Sequence, residues 1–372
     1  MNKARFMLIS VMILLSFAGR VVTAQERKTA RDFLFIGIDP KTLNAGRNGD
    51  IYLVRSDGSR VVNLTNSRLD SENHAFWSAD GTKIYFSRNS MALYSGSTDE
   101  QSSTSFYVMD ISDMGEKTGE RLLFNLSDVM GQPMRVEDWV LSPDEKNIVF
   151  IPNNESLVGT MFVNIDGTNV YEALPVGVAS TIFPLQWSPD STEFAYQKND
   201  CNVSPTNLCP YSVTSVEGDK GSQLICTHTN LMKRWHPREI FLSYDFPNFN
   251  IQQGDRVILH DQQYTPFLSP DGSTLAYSSH DTVSPITRLE TLKLGANNSP
   301  HTLTSEIDGT ISFINWSPDS KQIAFVAHSV GYEVNVYVIN VDGTGQKMLL
   351  SREVWDADTL KWRPDPPPKV GV

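Results

Sequence analysis

Acidic side chains recur at one fixed place in this chain: Asp80, Asp144, Asp190, Asp271, Asp319 and Asp365. Carboxylates in this number could serve as general acids and bases or as metal ligands. Each, however, stands two residues after Ser78, Ser142, Ser188, Ser269, Ser317 or Arg363, and all but the first follow a proline directly. That is the composition of a tight turn, in which proline presets φ and aspartate accepts nearby backbone N–H groups. The turn accounts for these acids without chemistry. Asp110, Asp113 and Glu116 lack the spacing of an EF-hand loop. The chain has no His-Glu-x-x-His, no Cys-x-x-Cys, no glycine-rich phosphate loop and no Gly-x-Ser-x-Gly elbow. No cofactor and no catalytic residue is assigned.

The turns belong to a repeat. Trp77, Leu141, Trp187, Leu268, Trp316 and Trp362 each precede one, and after all but the last a short apolar run such as Ile84-Tyr85-Phe86 or Ile323-Ala324-Phe325 follows. Each copy reads as strand, turn, strand, with the large residue before the turn buried between neighbouring sheets. A second hairpin comes after it, marked by Asp57-Gly58, Asp166-Gly167 and Asp342-Gly343. The unit is therefore four strands, lettered A to D from the Trp strand, and the fold class is all-β: a β-propeller of four-stranded blades. The ends complement each other. Phe33–Ile36 and Ile51–Val54 read as B and C strands without an A strand, and Thr359–Trp362 as an A strand without followers. Joining them closes the ring and removes exposed sheet edges. Trp235-His236-Pro237 before Ile240–Ser243 is a worn copy, which makes seven blades; six with one large insertion is the alternative. The propeller is expected over residues 33–365, after a lead at 25–32 and before a proline-rich tail at 366–372.

Residues 1–24 read as an export signal. Lys3 and Arg5 open it, Phe6 to Ala18 form its apolar run, and Val22-Thr23-Ala24 provides the small residues of a cleavage site. The mature chain would be periplasmic or extracellular and would not insert in a membrane. Loss of Lys3, Arg5 and Arg20 with the leader moves the formal charge from −12 to about −15. So acidic a chain repels phosphate backbones, which argues against nucleic acid and leaves basic proteins, cations or glycans. In an oxidising compartment Cys201 and Cys209, flanking one loop, are expected to pair; Cys209 with Cys226 is the alternative. Asn63-Leu64-Thr65, Asn125-Leu126-Ser127 and Asn202-Val203-Ser204 match a glycosylation acceptor, but the first two coincide with the repeat's own strand D ending.

The Trp-Ser-Pro-Asp copies, their Ile-Ala-Phe strands and the Asp-Gly turns resemble the TolB-type propellers, over the propeller part only. The resemblance is specific for fold and weak for function, because one architecture hosts many activities. Similar propellers also precede serine-peptidase domains, but without a nucleophile elbow that reading fails here.

Registering the B strands places Asn89, Asn153, Asn199, His280 and His328 at one repeat position, where the strand leaves for the B–C loop. The D–A loops, which share that face, carry Asp70, Glu72, His74, Glu137, Asp138, Glu306, Asp308, Asp356 and Asp358. Asn and His often cap strand ends and loop acids are often merely solvated. The functional reading is a ring of Asn89, Asn153, Asn199, His280, His328, Asp70, His74, Asp138, Asp308 and Asp356 around the tunnel mouth, where a protein, a peptide or a glycan would bind. The long segments Ser90–Ser105, Asp200–Cys209 and Ser127–Val136 fall on this face too, whereas the other face has short turns apart from Asp113–Gly119. The leading expectation is a monomeric binding platform. The alternative is a metal-assisted polysaccharide lyase, by analogy with propellers that use histidines such as His74, His280 and His328.

Overall fold

The computed structural model describes residues 30–37, 49–67, 70–90, 103–153, 159–175, 186–197, 211–215, 223–225, 240–245, 248–253, 256–262, 267–280, 286–295, 299–304, 307–329, 334–351 and 360–366. The expected leader, the tail 367–372, Asn199, Asp356 and all three cysteines lie outside these residues.

Strands β1 (Asp32–Gly37), β2 (Asp50–Arg55) and β3 (Val61–Asn63) come first, and β4 (Asp70–Trp77), β5 (Lys83–Ser90), β6 (Thr104–Ile111) and β7 (Lys117–Asn125) make the next sheet. A short helix, α1 (Leu126–Met130), leads to β8 (Val136–Leu141), β9 (Asn147–Pro152), β10 (Thr160–Asn164) and β11 (Tyr171–Leu174). Then follow β12 (Gln186–Trp187), β13 (Glu193–Gln197), β14 (Tyr211–Ser215) and β15 (Gln223–Ile225). The next strands are β16 (Ile240–Asp245), β17 (Asn248–Gln253) and β18 (Arg256–Gln262). The last groups are β19 (Phe267–Leu268), β20 (Thr274–His280), β21 (Ile286–Lys293) and β22 (Pro300–Thr302), then β23 (Ile307–Trp316), β24 (Gln322–Ser329), β25 (Val334–Asn340) and β26 (Lys347–Ser351), with β27 (Lys361–Trp362) at the end.

Pairing is antiparallel throughout the described residues, in the order A-B-C-D. The β4–β7, β8–β11 and β12–β15 sheets are separate and four-stranded, and β16–β18 is three-stranded. The groups β19–β22 and β23–β26 are joined in one sheet by a short contact, Ile286 opposite Asp308 and Thr287 opposite Ile307. The ends close as the end strands imply: β27 pairs with β1 through Phe33–Trp362 and Leu34–Lys361, giving a blade of order β27-β1-β2-β3.

The continuous apolar runs follow from blades burying both faces. In β1, Phe33 and Phe35 join Tyr52 and Val54 against Ala324, Val326, Val336 and Val338 of β24 and β25. The alternate residues Leu34 and Ile36 turn the other way, with Ile51 and Leu53, onto Ala75, Ile84, Phe86 and Met109 of the β4–β7 blade. A strand wedged between two blades has no polar side to show, so Phe33 to Ile36 are fully buried.

Two expectations about loops change. The segment Asp113–Gly119 is not a long loop: Ser112 to Glu116 form a tight turn and β7 begins at Lys117. The segment Ser127–Val136 begins inside α1, which ends on Gly131 in the left-handed region at φ 70°.

Candidate functional site

The turns between A and B strands repeat one hydrogen-bond design. Ser78, Ser142, Ser188, Ser269 and Ser317 each donate Oγ–H to the aspartate two residues on, all at 2.7 Å. The same Oγ accepts the amide five residues later, from Lys83, Asn147, Glu193, Thr274 or Gln322. Bonds from the Ser78 and Thr82 hydroxyls and the Thr82 amide hold the Asp80 carboxyl down at about 2. Asp190 is lowered in the same way by Ser188 and Thr192. In Asp144 and Asp319 burial pushes upward, and bonds from Ser142 and Ser317 with the lysine two residues beyond each aspartate bring the net shift below the ordinary carboxylate value. These acids are parts of turns, and nothing about them is poised for proton transfer at neutral pH.

The residue after each turn aspartate is left-handed: Gly81, Glu145, Ser191, Gly272 and Ser320, with φ between 59° and 67°. Where it is not glycine it reaches the preceding blade. Ser191 Oγ accepts the Asp144 amide at 3.0 Å and Ser320 Oγ that of Asp271 at 3.1 Å. Glu145 accepts both the Ala79 amide and the Tyr85 hydroxyl, at 2.8 and 2.9 Å. Burial and that bond to Glu145 drive the Tyr85 phenol far above its usual value.

The A strands of successive blades, β8 and β12, β19 and β23, β23 and β27, lie against one another and form the inner wall. Indoles stitch it. Nε1 of Trp77, Trp187, Trp316 and Trp362 donates to the carbonyl of Lys361, Val140, Phe267 and Asn315 at 2.9 to 3.2 Å, each acceptor being on the preceding A strand.

Toward the B–C side the inner strands bulge. In β4 the register shifts between Asn73 and Ala75, and in β23 between Ser312 and Asn315. His74 and Phe313, each three residues before its tryptophan, take φ of 47° and 52°, a strained backbone for side chains of this size. In β8 the shift falls between Val136 and Asp138. A bulge re-aims a side chain, and here His74 crosses to the neighbouring blade. Its Nδ1 lies 3.6 Å from Asp138 Oδ1 and its Nε2 3.3 Å from the Glu137 carbonyl.

The expected site residues divide accordingly. Asp70, His74, Asp138 and Asp308 lie on inner strands, not in loops, because the A strands extend further back from the tryptophan than the repeat motif does. His74 and Asp138 are brought together. Asn89, in β5, accepts the Thr104 hydroxyl, whose oxygen in turn accepts the Val136 amide at 3.0 Å; it acts as a strand-end cap. The Asn153 side chain is exposed just beyond β9, and His280 ends β20. His328, near the end of β24, stands edge-on to Phe313 with ring centroids 6.1 Å apart, and burial lowers its pKa. Among the described residues no group of three or more His, Cys, Asp or Glu could hold a metal.

Glu72, expected among the loop acids, is completely buried. It takes Arg88 Nε at 2.7 Å and the Ser67 hydroxyl at 3.0 Å, while Arg88 also reaches Glu120 and stacks over Tyr107. Burial still leaves the Glu72 carboxyl above its ordinary value. Asn63, a sequon asparagine, donates to Asp50 and Tyr52 and accepts the amides of Thr65 and Asn66. It is a structural cap.

No protein-family model matches the sequence, and no curated protein matches it closely. The likeness is in three dimensions. An oligogalacturonate lyase in complex with manganese is similar over 89% of this chain and 88% of its own, at 14% identity and TM-score 0.53. The chain folds as a β-propeller. TolB from Acinetobacter baumannii aligns over 90% of this propeller and 67% of that chain, at 14% identity and TM-score 0.48. The periplasmic gluconolactonase of Pseudomonas aeruginosa aligns over 91% and 100%, at 13% and 0.48. No helix among the described residues is long and apolar enough to cross a membrane.

Proposed function

We propose that this propeller is an exported binding platform whose B–C and D–A face recognises a protein or peptide. One observation carries the reading. On the A–B face the repeat's polar groups are consumed by their own turns, whereas on the other side the inner strands bulge at His74 and Phe313 and His74 reaches Asp138 of the neighbouring blade. Bulges of this kind re-aim side chains and are over-represented next to functional sites. The formal charge of −12 favours a cationic partner. The reading takes the ring as seven-bladed, with β19–β22 and β23–β26 as separate blades despite their joint.

The test is capture from envelope extract on the immobilised mature chain, compared with a variant carrying Asp70, Asp138, Asp308 and Asp356 as Asn. Loss of a captured band with the variant supports the reading; identical capture removes it.

A second reading, a metal-assisted lyase, rests on His280 and His328 occupying the same position in consecutive blades, at the ends of β20 and β24. Manganese-dependent release of unsaturated sugars from oligogalacturonate would establish it.

A further inference from the structure

The last copy of the repeat departs from the others twice. Arg363 stands where Ser78, Ser142, Ser188, Ser269 and Ser317 stand, and Pro366 takes the place of the left-handed residue. Arginine has no hydroxyl to cap the turn, and proline cannot adopt positive φ. The copy cannot make the A–B hairpin, and its strand pairs with β1 from the other end of the ring.

Arg363 has other work. Its amide donates to the Asp32 carbonyl at 2.8 Å, and its Nη1 lies 3.8 Å from Asp32 Oδ2. Nε donates to the Gly81 carbonyl at 2.7 Å and Nη1 to that of Ser112 at 3.0 Å, which ties the closing blade to both kinds of turn in the β4–β7 blade. The buried Asp32 carboxylate also receives Arg60 at 2.9 Å and Arg55 at 3.5 Å. At the same end of this strand pair the exchange is reciprocated. Arg31, beside Asp32, pairs with Asp365, two residues after Arg363, and with Asp319 of the β23–β26 blade at 3.3 Å. Arg31-Asp32 and Arg363-Pro364-Asp365 therefore grip each other crosswise.

A two-residue strand contributes little pairing of its own, whereas bonds to charged groups are the stronger kind. We propose that these residues form an ionic clasp that closes the ring, and that its release lets both chain ends leave together before the remaining blades unfold. The clasp explains why the final copy abandons the repeat's serine.

Hydrogen exchange of the full chain, read by mass spectrometry under native conditions, tests this. Arg363→Ser restores the repeat residue. It should speed exchange in peptides covering 30–37 and 360–366 by at least about tenfold while β9, β10, β24 and β25 keep their rates. Unchanged terminal peptides, or equal acceleration everywhere, would overturn the proposal. Should that variant fail to fold, Arg31→Gln leaves the Asp32 cluster intact and should give the same pattern at smaller amplitude. A uniform response, or none, from Arg31→Gln would again overturn it.

Discussion

The indole Nε1 of Trp316 donates to the carbonyl of Phe267 at 2.9 Å, from the inner strand of one blade to that of the blade before it. Trp77, Trp187 and Trp362 make the same bond. The tryptophan of the repeat is thus more than a large apolar body: its indole N–H ties one inner strand to the one before it. Leucine, at Leu141 and Leu268, keeps the bulk without the bond.

Trp316→Phe should lower stability by about 2 kcal/mol, combining a lost hydrogen bond of about 1 kcal/mol with reduced packing. Leu268→Phe, which removes no such bond, should cost less. Urea midpoints of the two variants provide the comparison.

The turn aspartates should govern acid stability. In Asp80, Asp144, Asp190 and Asp319 the folded pKa lies below the unfolded value, so their contribution is present above about 4 and is lost as pH falls through the folded pKa, about 2 for Asp80. Asp80→Asn should be less stable than the parent at neutral pH, with the gap closing on acidification. Denaturation curves from about pH 6 to about pH 2 follow this.

Glu145 offers a test of opposite intuition. Glycine relieves a left-handed residue by roughly 1 kcal/mol, and the repeat itself uses Gly81 and Gly272 at this position. Glu145→Gly should nonetheless destabilise the protein by about 1 kcal/mol, because it removes the acceptor of the Ala79 amide and the Tyr85 hydroxyl. A rise in melting temperature would contradict the assignment.

The architecture was legible because the repeat is local: a serine, an aspartate and a following apolar run state their turn within ten residues, and the unmatched ends imply closure. The site was less so. Bulges at His74 and Phe313 depend on how one blade meets the next, and only counting back three residues from Trp77 and Trp316 would have aligned them. Glu72 reads as a loop acid because its partner, Arg88, lies on another strand, sixteen residues away. The role of Arg363 was hidden because its partners come from the other end of the chain and the next blade.

His328 should make the fold sensitive to mild acid. Burial lowers its pKa, so the folded state resists protonation, and stability should decline as pH falls below the ordinary histidine value of 6.5. His328→Gln should flatten that part of the pH profile. An unaltered profile between about pH 7 and about pH 5 would show that another group is responsible.

The central claim is that recognition uses the B–C and D–A face while the opposite face is structural. The direct measurement is affinity for a captured partner at low salt, where screening is weakest, with two variant sets compared. Asn at Asp70, Asp138, Asp308 and Asp356 should weaken binding at least about tenfold in a variant that still folds cooperatively. Asn at Asp144, Asp190 and Asp319 should lower the melting temperature and leave the affinity of the folded protein intact. If the first set binds as tightly as the parent and the second loses binding while still folded, the recognition surface is on the other side of the disc.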